Sequence, residues 1–283
     1  MVKKQYTTAQ HYIPRFVLQN FTSNNQLTVA DISVSPVRYF STTPKRICFQ
    51  KDLYEVKNED GTYFDRNAIE DRFSFLEGWF ATQVRILFQK KDKSSRMSGE
   101  QDVMLALLLA VQLARLPAVK QIVFGKNDIG TIEKSYIYQA LINSNKKAIE
   151  YLRQNNVSIP AELLQDSKEK TLIDAIVSQL VSNCFFYIID ASNTEGKFII
   201  SDQPVLIRPF EDAQYIFPIS PDFAIACCAF ASACGNQMES FVEVGEKIVY
   251  NINILSCKQA ERFVIANTFT DNCRKLLEGK DDK

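Results

Sequence analysis

The hydrophobic period of this chain changes near Asn183, and that change restricts the fold more than any other feature of the sequence. Upstream, apolar residues recur every three or four positions, the period of a helix with one buried face. Ile69, Phe73, Leu76 and Phe80 follow that spacing within 66–92, with Trp79 and Val84 on the same broad face. A polar connector, 90–99, follows. Ser98 with Gln101 forms a capping-box pattern, so a second helix is predicted from there to about Phe124. Ile137, Leu141, Ala148 and Leu152 stripe a third, over 131–154. Pro160 opens a fourth that runs to about Asn183, with a break near Ser167.

Downstream the pattern shortens. Residues 184–190, 197–201, 204–210, 215–220, 223–230 and 246–254 are apolar runs split by turn residues, and they predict strands of an antiparallel or mixed sheet. Residues 257–279 read as a closing helix. At the other end, a short helix is expected to begin near Pro14, with Phe16, Val17 and Phe21 on one side and Leu18 nearby. The alternating stretch 26–33 and the segment 45–56 read as strands, and Asp60-Gly61 marks a turn. No internal repeat is visible. The expectation is an α+β protein in one domain over 1–283: a small N-terminal β element, a helical middle, a β-rich C-terminal part and a terminal helix.

A chain that is 46% hydrophobic, with twenty Phe and eleven Tyr, has the material for a dense interior. Basic and acidic residues balance at 33 each, so no global field selects nucleic acid or an anionic surface. The densest basic run, Arg85–Arg96, carries five cations against Asp92; it reads as a solvated helix end or, alternatively, a nucleic-acid contact. The basic N-terminus lacks the apolar core of a signal peptide. The most apolar stretch, 103–117, is too short to span a bilayer and carries Gln112 and Arg115, so a buried core helix is expected and no membrane partner. Seven cysteines include no Cys-x-x-Cys pair, and Cys227 and Cys228 would face opposite sides of a strand. They read as reduced core thiols of a cytoplasmic protein; neither a metal nor a cofactor is expected.

Three polar motifs interrupt apolar sequence: His11-Tyr12-Ile13-Pro14-Arg15, Gln112-x-x-Arg115-x-Pro117 and Ser201-Asp202-Gln203-Pro204. Gln112 and Arg115 share a helical face. Each motif has a structural reading. His11, the chain's single histidine, can tie down the N-terminal segment. Arg115 can clamp a carboxylate such as Glu70 or Glu77, and Asp202 can form a local turn. The sharper reading has the motifs meet, with His11 as general acid or base, Asp202 as orienting carboxylate and Arg115 as anion clamp. Arg15, Gln112 and Ser201 would then help bind the substrate. Ser201 as a nucleophile is weaker, because adjacent residues on a strand face opposite ways. No phosphate loop, dinucleotide fingerprint or nucleophile elbow occurs.

Taken together, HYIPRFVLQNF, QLARLP, FIISDQPV and the Pro-Ile-Ser-Pro at 218–221 resemble the domain of unknown function 4238 family, a bacterial group. The family pattern has Val, Asn and Leu where this chain has Ile13, Gln203 and Ile219. The segments 69–77 and 251–266 are also similar, so the resemblance spans about 10–270. It implies that His11, Gln112, Arg115, Ser201, Asp202 and Pro204 are marked positions, and it implies no activity. Two functions stay open. One is a hydrolase or phosphodiester-type enzyme acting on an anionic ligand. The other is a non-catalytic interaction or defence-type effector protein whose motifs are structural.

Overall fold

The computed structural model describes residues 6–57, 60–91, 96–117, 154, 171–231 and 239–279. The predicted helix over 131–154, save Gln154, and the break near Ser167 lie outside these residues, as does the stretch from 118 to Phe124. What is described is α+β, as the change of period implies.

The chain opens with β1 (Ala9–His11) and α1 (Arg15–Asn20), then β2 (Leu27–Asp31) and β3 (Arg38–Thr42). The expected strand over 45–56 is corrected. That segment holds a 3-10 turn at Pro44–Arg46, the short β4 (Phe49–Lys51) and the start of β5 (Val56–Lys57), which turns back into β6 (Tyr63–Phe64). Positive φ at Cys48 (54°) and Asp52 (51°) breaks a continuous strand there. β4 pairs antiparallel with β1, placing His11 opposite Phe49. His11 therefore sits on a strand that ends just before Pro14, rather than on the helix itself.

Two long helices follow. In α2 (Ala68–Lys90), Ile69, Phe73, Phe80, Val84 and Leu87 are buried on one stripe, whereas Trp79 is 41% exposed at its edge. α3 (Gly99–Arg115) begins with the Ser98–Gln101 capping box that the sequence predicts. It buries Leu105, Leu108, Leu109 and Val111 on several faces, as a helix apolar all round must. α4 (Leu172–Asn183) packs on α3 and leads directly into β7 (Cys184–Asp190).

The C-terminal strands are β8 (Ile200–Ser201), β9 (Leu206–Ile207), β10 (Ala213–Pro218), β11 (Phe223–Ala229) and β12 (Phe241–Glu243). A mixed five-stranded sheet runs β12-β7-β11-β10-β9, with β12 parallel to β7 and the other pairs antiparallel. Cys227 joins the core beneath α3 while Cys228 joins the cluster on the opposite face, as alternation along a strand requires.

Two expectations fail here. Residues 246–254 belong to α5 (Glu246–Gln259), and 257–279 is broken into the end of α5, β13 (Phe263–Ala266) and α6 (Asp271–Glu278). In α5 the buried residues are Val249, Ile252, Asn253, Ser256 and Cys257, a helical spacing that includes two polar side chains. Those polar members hid the period, and the local alternation Tyr-Asn-Ile-Asn-Ile imitated a strand. Asn253 is buried because its amide is satisfied: it accepts the Ile199 N–H at 3.1 Å and donates to the Lys197 carbonyl at 2.9 Å. β13 closes a second sheet, β3-β2-β13-β8, which ties the two ends of the chain together.

One apolar cluster contains Ile13 from the N-terminus, Leu108 from α3 and Phe217 from β10. Asn253→Ala leaves the Ile199 N–H buried and unpaired, so it is expected to cost about 1–3 kcal/mol in urea unfolding, with the denaturant slope unchanged.

Candidate functional site

Arg115 is 1% exposed, and burying a guanidinium is tolerable only when its donors are satisfied. Its Nη1 pairs with Glu77 Oε1 at 2.5 Å, its Nη2 donates to the His11 carbonyl at 2.7 Å, and its Nε donates to the Tyr54 hydroxyl at 3.4 Å. Tyr54 in turn donates to the same His11 carbonyl at 3.0 Å. The guanidinium lies 4.8 Å from the centre of the Phe73 ring, adding a cation–π contact. One turn earlier on α3, Gln112 donates to the Tyr12 carbonyl at 3.0 Å. The Gln-x-x-Arg motif thus grips the backbone of the His-Tyr motif at two successive carbonyls.

Asp202 behaves in a similar way at the other sheet. Its carboxylate accepts the N–H groups of Glu261, Arg262 and Phe263 at 2.9, 2.8 and 3.1 Å. Burial outweighs those three donors and holds its carboxyl above the usual range. Ser201 forms a local turn: its hydroxyl donates to the Gln203 carbonyl at 2.8 Å and accepts the Gln203 N–H at 3.2 Å. Ser201 and Asp202 thus organise the junction of α5, β8 and β13.

The His11 imidazole opens into a hollow of about 320 Å³ lined by Thr7, Ala9, His11, Arg15, Glu70, Ser74 and Glu77. The structure therefore brings His11 and Arg15 together, with Arg115 behind them through Glu77. Gln112 acts on the adjoining backbone, and Ser201 and Asp202 do not line this hollow. His11 Nε2 lies 3.1 Å from the Pro44 carbonyl. A carbonyl only accepts, so Nε2 carries the proton in the neutral ring and Nδ1 is the basic nitrogen. Burial lowers the His11 pKa below 6.5, partly opposed by the Pro44 bond, while the Arg15 charge lowers it and Glu77 raises it.

Glu70 is the group that sequence reasoning passed over as a site residue. It stands on the first turn of α2, buried, with its Oε2 unpaired among the described residues. Burial pushes its carboxyl up to about 7, against the pull of Arg115. The signal available in the sequence was Glu70 and Glu77 seven residues apart, two turns of one helical face. Glu77 serves two partners, since besides pairing with Arg115 it accepts the Arg15 N–H at 3.2 Å, at the start of α1. Arg15 itself is exposed, and its guanidinium makes no ion pair among the described residues.

Of the basic run, Lys91 pairs with Asp190 at 2.7 Å and Arg96 sits 5.5 Å from the Phe185 ring centre; residues 92–95 lie outside the described residues. Among the described residues no helix is long and apolar enough to cross a membrane, no group of three or more potential metal ligands occurs, and six cysteines are free and buried.

These features define an α+β protein with a small polar hollow held by buried clamps from distant segments. A family model described as protein of unknown function (DUF4238) matches residues 9–270, nearly the whole chain, and the protein belongs to that family. No curated protein and no solved structure matches it.

Because the chain has one histidine, proton NMR follows His11 without assignment. Its titration midpoint is expected below 6.5, moving up in Arg15→Ala and down in Glu77→Gln. Glu70, whose folded pKa is raised, contributes stability that is full below the unfolded value of 4.5 and lost as pH rises through about 7. Glu70→Gln removes that loss. Its melting temperature relative to wild type is therefore expected to rise between pH 5 and pH 8, as scanning calorimetry can measure.

Proposed function

We propose that the hollow is the active site of an acid–base enzyme, a hydrolase or phosphodiester-type activity, acting on a small anionic substrate. One observation carries the reading. A neutral imidazole with a fixed tautomer and a carboxyl raised to about 7 share one cavity with a guanidinium that makes no ion pair among the described residues. Groups whose surroundings push them away from their ordinary pKa values are how a site runs acid and base steps near neutral pH. His11 Nδ1 takes a proton from the attacking water, and Glu70, protonated, gives one to the leaving oxygen. Arg15 holds the anion at the rim. The Pro44 carbonyl orients the ring, the role that the sequence suggested for Asp202. Arg115, expected from sequence to be catalytic, then acts as a positioning residue, as does Gln112; Asp202, also expected to be catalytic, holds the backbone of 261–263, away from the hollow, and Ser201 holds its local turn.

Residues 1–283 then act as one unit, a reading supported by the apolar cluster shared between the N-terminus, α3 and the C-terminal sheet. The free buried thiols likewise support a reducing, cytoplasmic compartment. A second reading, an interaction or effector protein with structural motifs, draws on the fact that Arg115, Gln112 and Asp202 all engage backbone.

Hydrolysis of bis(p-nitrophenyl) phosphate, p-nitrophenyl phosphate and p-nitrophenyl acetate across pH 5–9 separates the two. The enzyme reading expects turnover of the diester, with a rising limb below 6.5 from His11 and a falling limb near 7 from Glu70. His11→Ala and Glu70→Gln should each lower kcat by about 10²–10⁴, His11→Ala with little change in melting temperature and Glu70→Gln without a lowered melt at pH 7. Absence of turnover, together with a melt lowered by several degrees in His11→Ala, favours the structural reading.

A further inference from the structure

A second, larger cavity lies on the other side of α1, and the acid–base hollow uses none of it. It encloses about 730 Å³, in the range of small-molecule sites, between α1, the C-terminal half of α2 and the turn joining β10 to β11. Two of the sequence motifs build it. Phe16, Gln19 and Asn20 come from the N-terminal motif, and Ser220 and Pro221 come from the Pro-Ile-Ser-Pro motif. Asn20 joins them by donating to the Ile219 carbonyl at 2.8 Å.

The lining has a definite chemistry. Phe88 and Phe223, both half-buried, stand 4.3 Å apart at 30°, stacked so that each covers one face of the other, and this aromatic stack walls the cavity. Lys197 pairs with Asp222 at 2.8 Å and donates to the carbonyls of Ala191 and Ser192, so its donors are spent and its charge is balanced. Arg85 is exposed on α2 at the rim, and no ion pair or hydrogen bond engages its guanidinium among the described residues. The side-chain amides of Gln89 and Asn267 also line the cavity and form no hydrogen bond among the described residues, so each offers a donor and an acceptor. A wholly apolar ligand would bury those amides unsatisfied, and a bare anion would leave the aromatic wall unused.

We propose that this cavity is a binding site for a nucleoside monophosphate. The base lies on the Phe88–Phe223 wall, the amides of Gln89 and Asn267 read its edge, and Arg85 holds the phosphate. Aromatic stacking accepts any base, while two amides that both donate and accept give preference among bases. Among the described lining residues no pair of groups is poised for proton transfer, since Asp222 is committed to Lys197. The site is therefore one of recognition, and it is independent of the proposed activity.

Titration calorimetry of the whole protein with AMP, GMP, CMP and UMP tests it, with adenosine and inorganic phosphate as separate arms. At least one nucleotide is expected to saturate the protein, adenosine to bind more weakly and phosphate alone not to bind. Arg85→Glu, at an exposed position whose folding a thermal melt verifies, should weaken that nucleotide by about tenfold or more, the scale of one lost charge-assisted contact. Asn267→Ala should alter the order of preference among the four, and Glu70→Gln should leave binding unchanged. The proposal is overturned if no nucleotide gives a saturable heat, if Arg85→Glu binds like wild type, or if phosphate matches the nucleotides.

Discussion

The buried guanidinium of Arg115 is the constraint on which the rest of the N-terminal half depends. A charge removed from water costs several kcal/mol even after relaxation, so the fold has to deliver partners from every side. It does so with Glu77 of α2, the His11 carbonyl at the end of β1, the Tyr54 hydroxyl and the face of Phe73. Those groups come from β1, from Tyr54 and from α2, so the clamp sets the position of β1 relative to both long helices. Glu77 extends the same network by taking the first N–H of α1. Removing Glu77 would leave the buried guanidinium without its counter-charge, and removing Arg115 would strip both Glu77 and the His11 carbonyl of a donor. Gln10 adds a tie on the opposite side of the strand, accepting the Tyr54 N–H at 2.7 Å and donating to Glu55 at 2.5 Å.

Much of this architecture is legible in the sequence, and what is not legible has a common cause. The α3 capping box, the bounds of β7 and the opposite faces of Cys227 and Cys228 are local, set by spacing within a few residues. Glu77 as a partner for Arg115 was also within reach, because a buried arginine needs a carboxylate and two were available on one helical face. By contrast, α5 reads as a strand because Asn253 and Ser256 occupy its buried face, and the 197–199 backbone that Asn253 satisfies is a tertiary partner. β1 and β13 exist through pairing with distant partners, and a three- or four-residue strand carries little pattern of its own. Glu70 reads from sequence only as a candidate partner of Arg115, for a related reason: a carboxylate at a helix start is favourable to the helix dipole, and its burial is a tertiary fact.

The site illustrates the same distinction. Two of the three motifs meet, and they meet on backbone: Arg115 and Gln112 bind carbonyls of the His-Tyr motif, whereas Asp202 binds N–H groups of a separate segment at 261–263. A side chain that recognises backbone is indifferent to the residue whose backbone it holds. Nothing in the Arg115 clamp requires position 11 to be histidine, since a carbonyl there would serve from any residue. The imidazole is therefore not explained by the clamp. Its explanation has to come from its own surroundings, which are the Pro44 carbonyl, the Phe49 ring 5.5 Å away and the polar hollow.

Those surroundings also argue against a purely packing role for the ring. An apolar side chain would fill the space against Phe49 without the desolvation that lowers the His11 pKa, and without competing for the field of Arg15. Across the hollow, Glu70 bears a matching cost, since an unpaired buried carboxyl oxygen weakens the fold wherever it is charged. Two such costs in one small cavity, beside a guanidinium with no ion-pair partner among the described residues, are hard to reconcile with selection for stability alone. They follow directly if the cavity has to exchange protons with a bound anion, because the desolvation that destabilises each charged form keeps the imidazole neutral and holds a proton on Glu70 up to about 7.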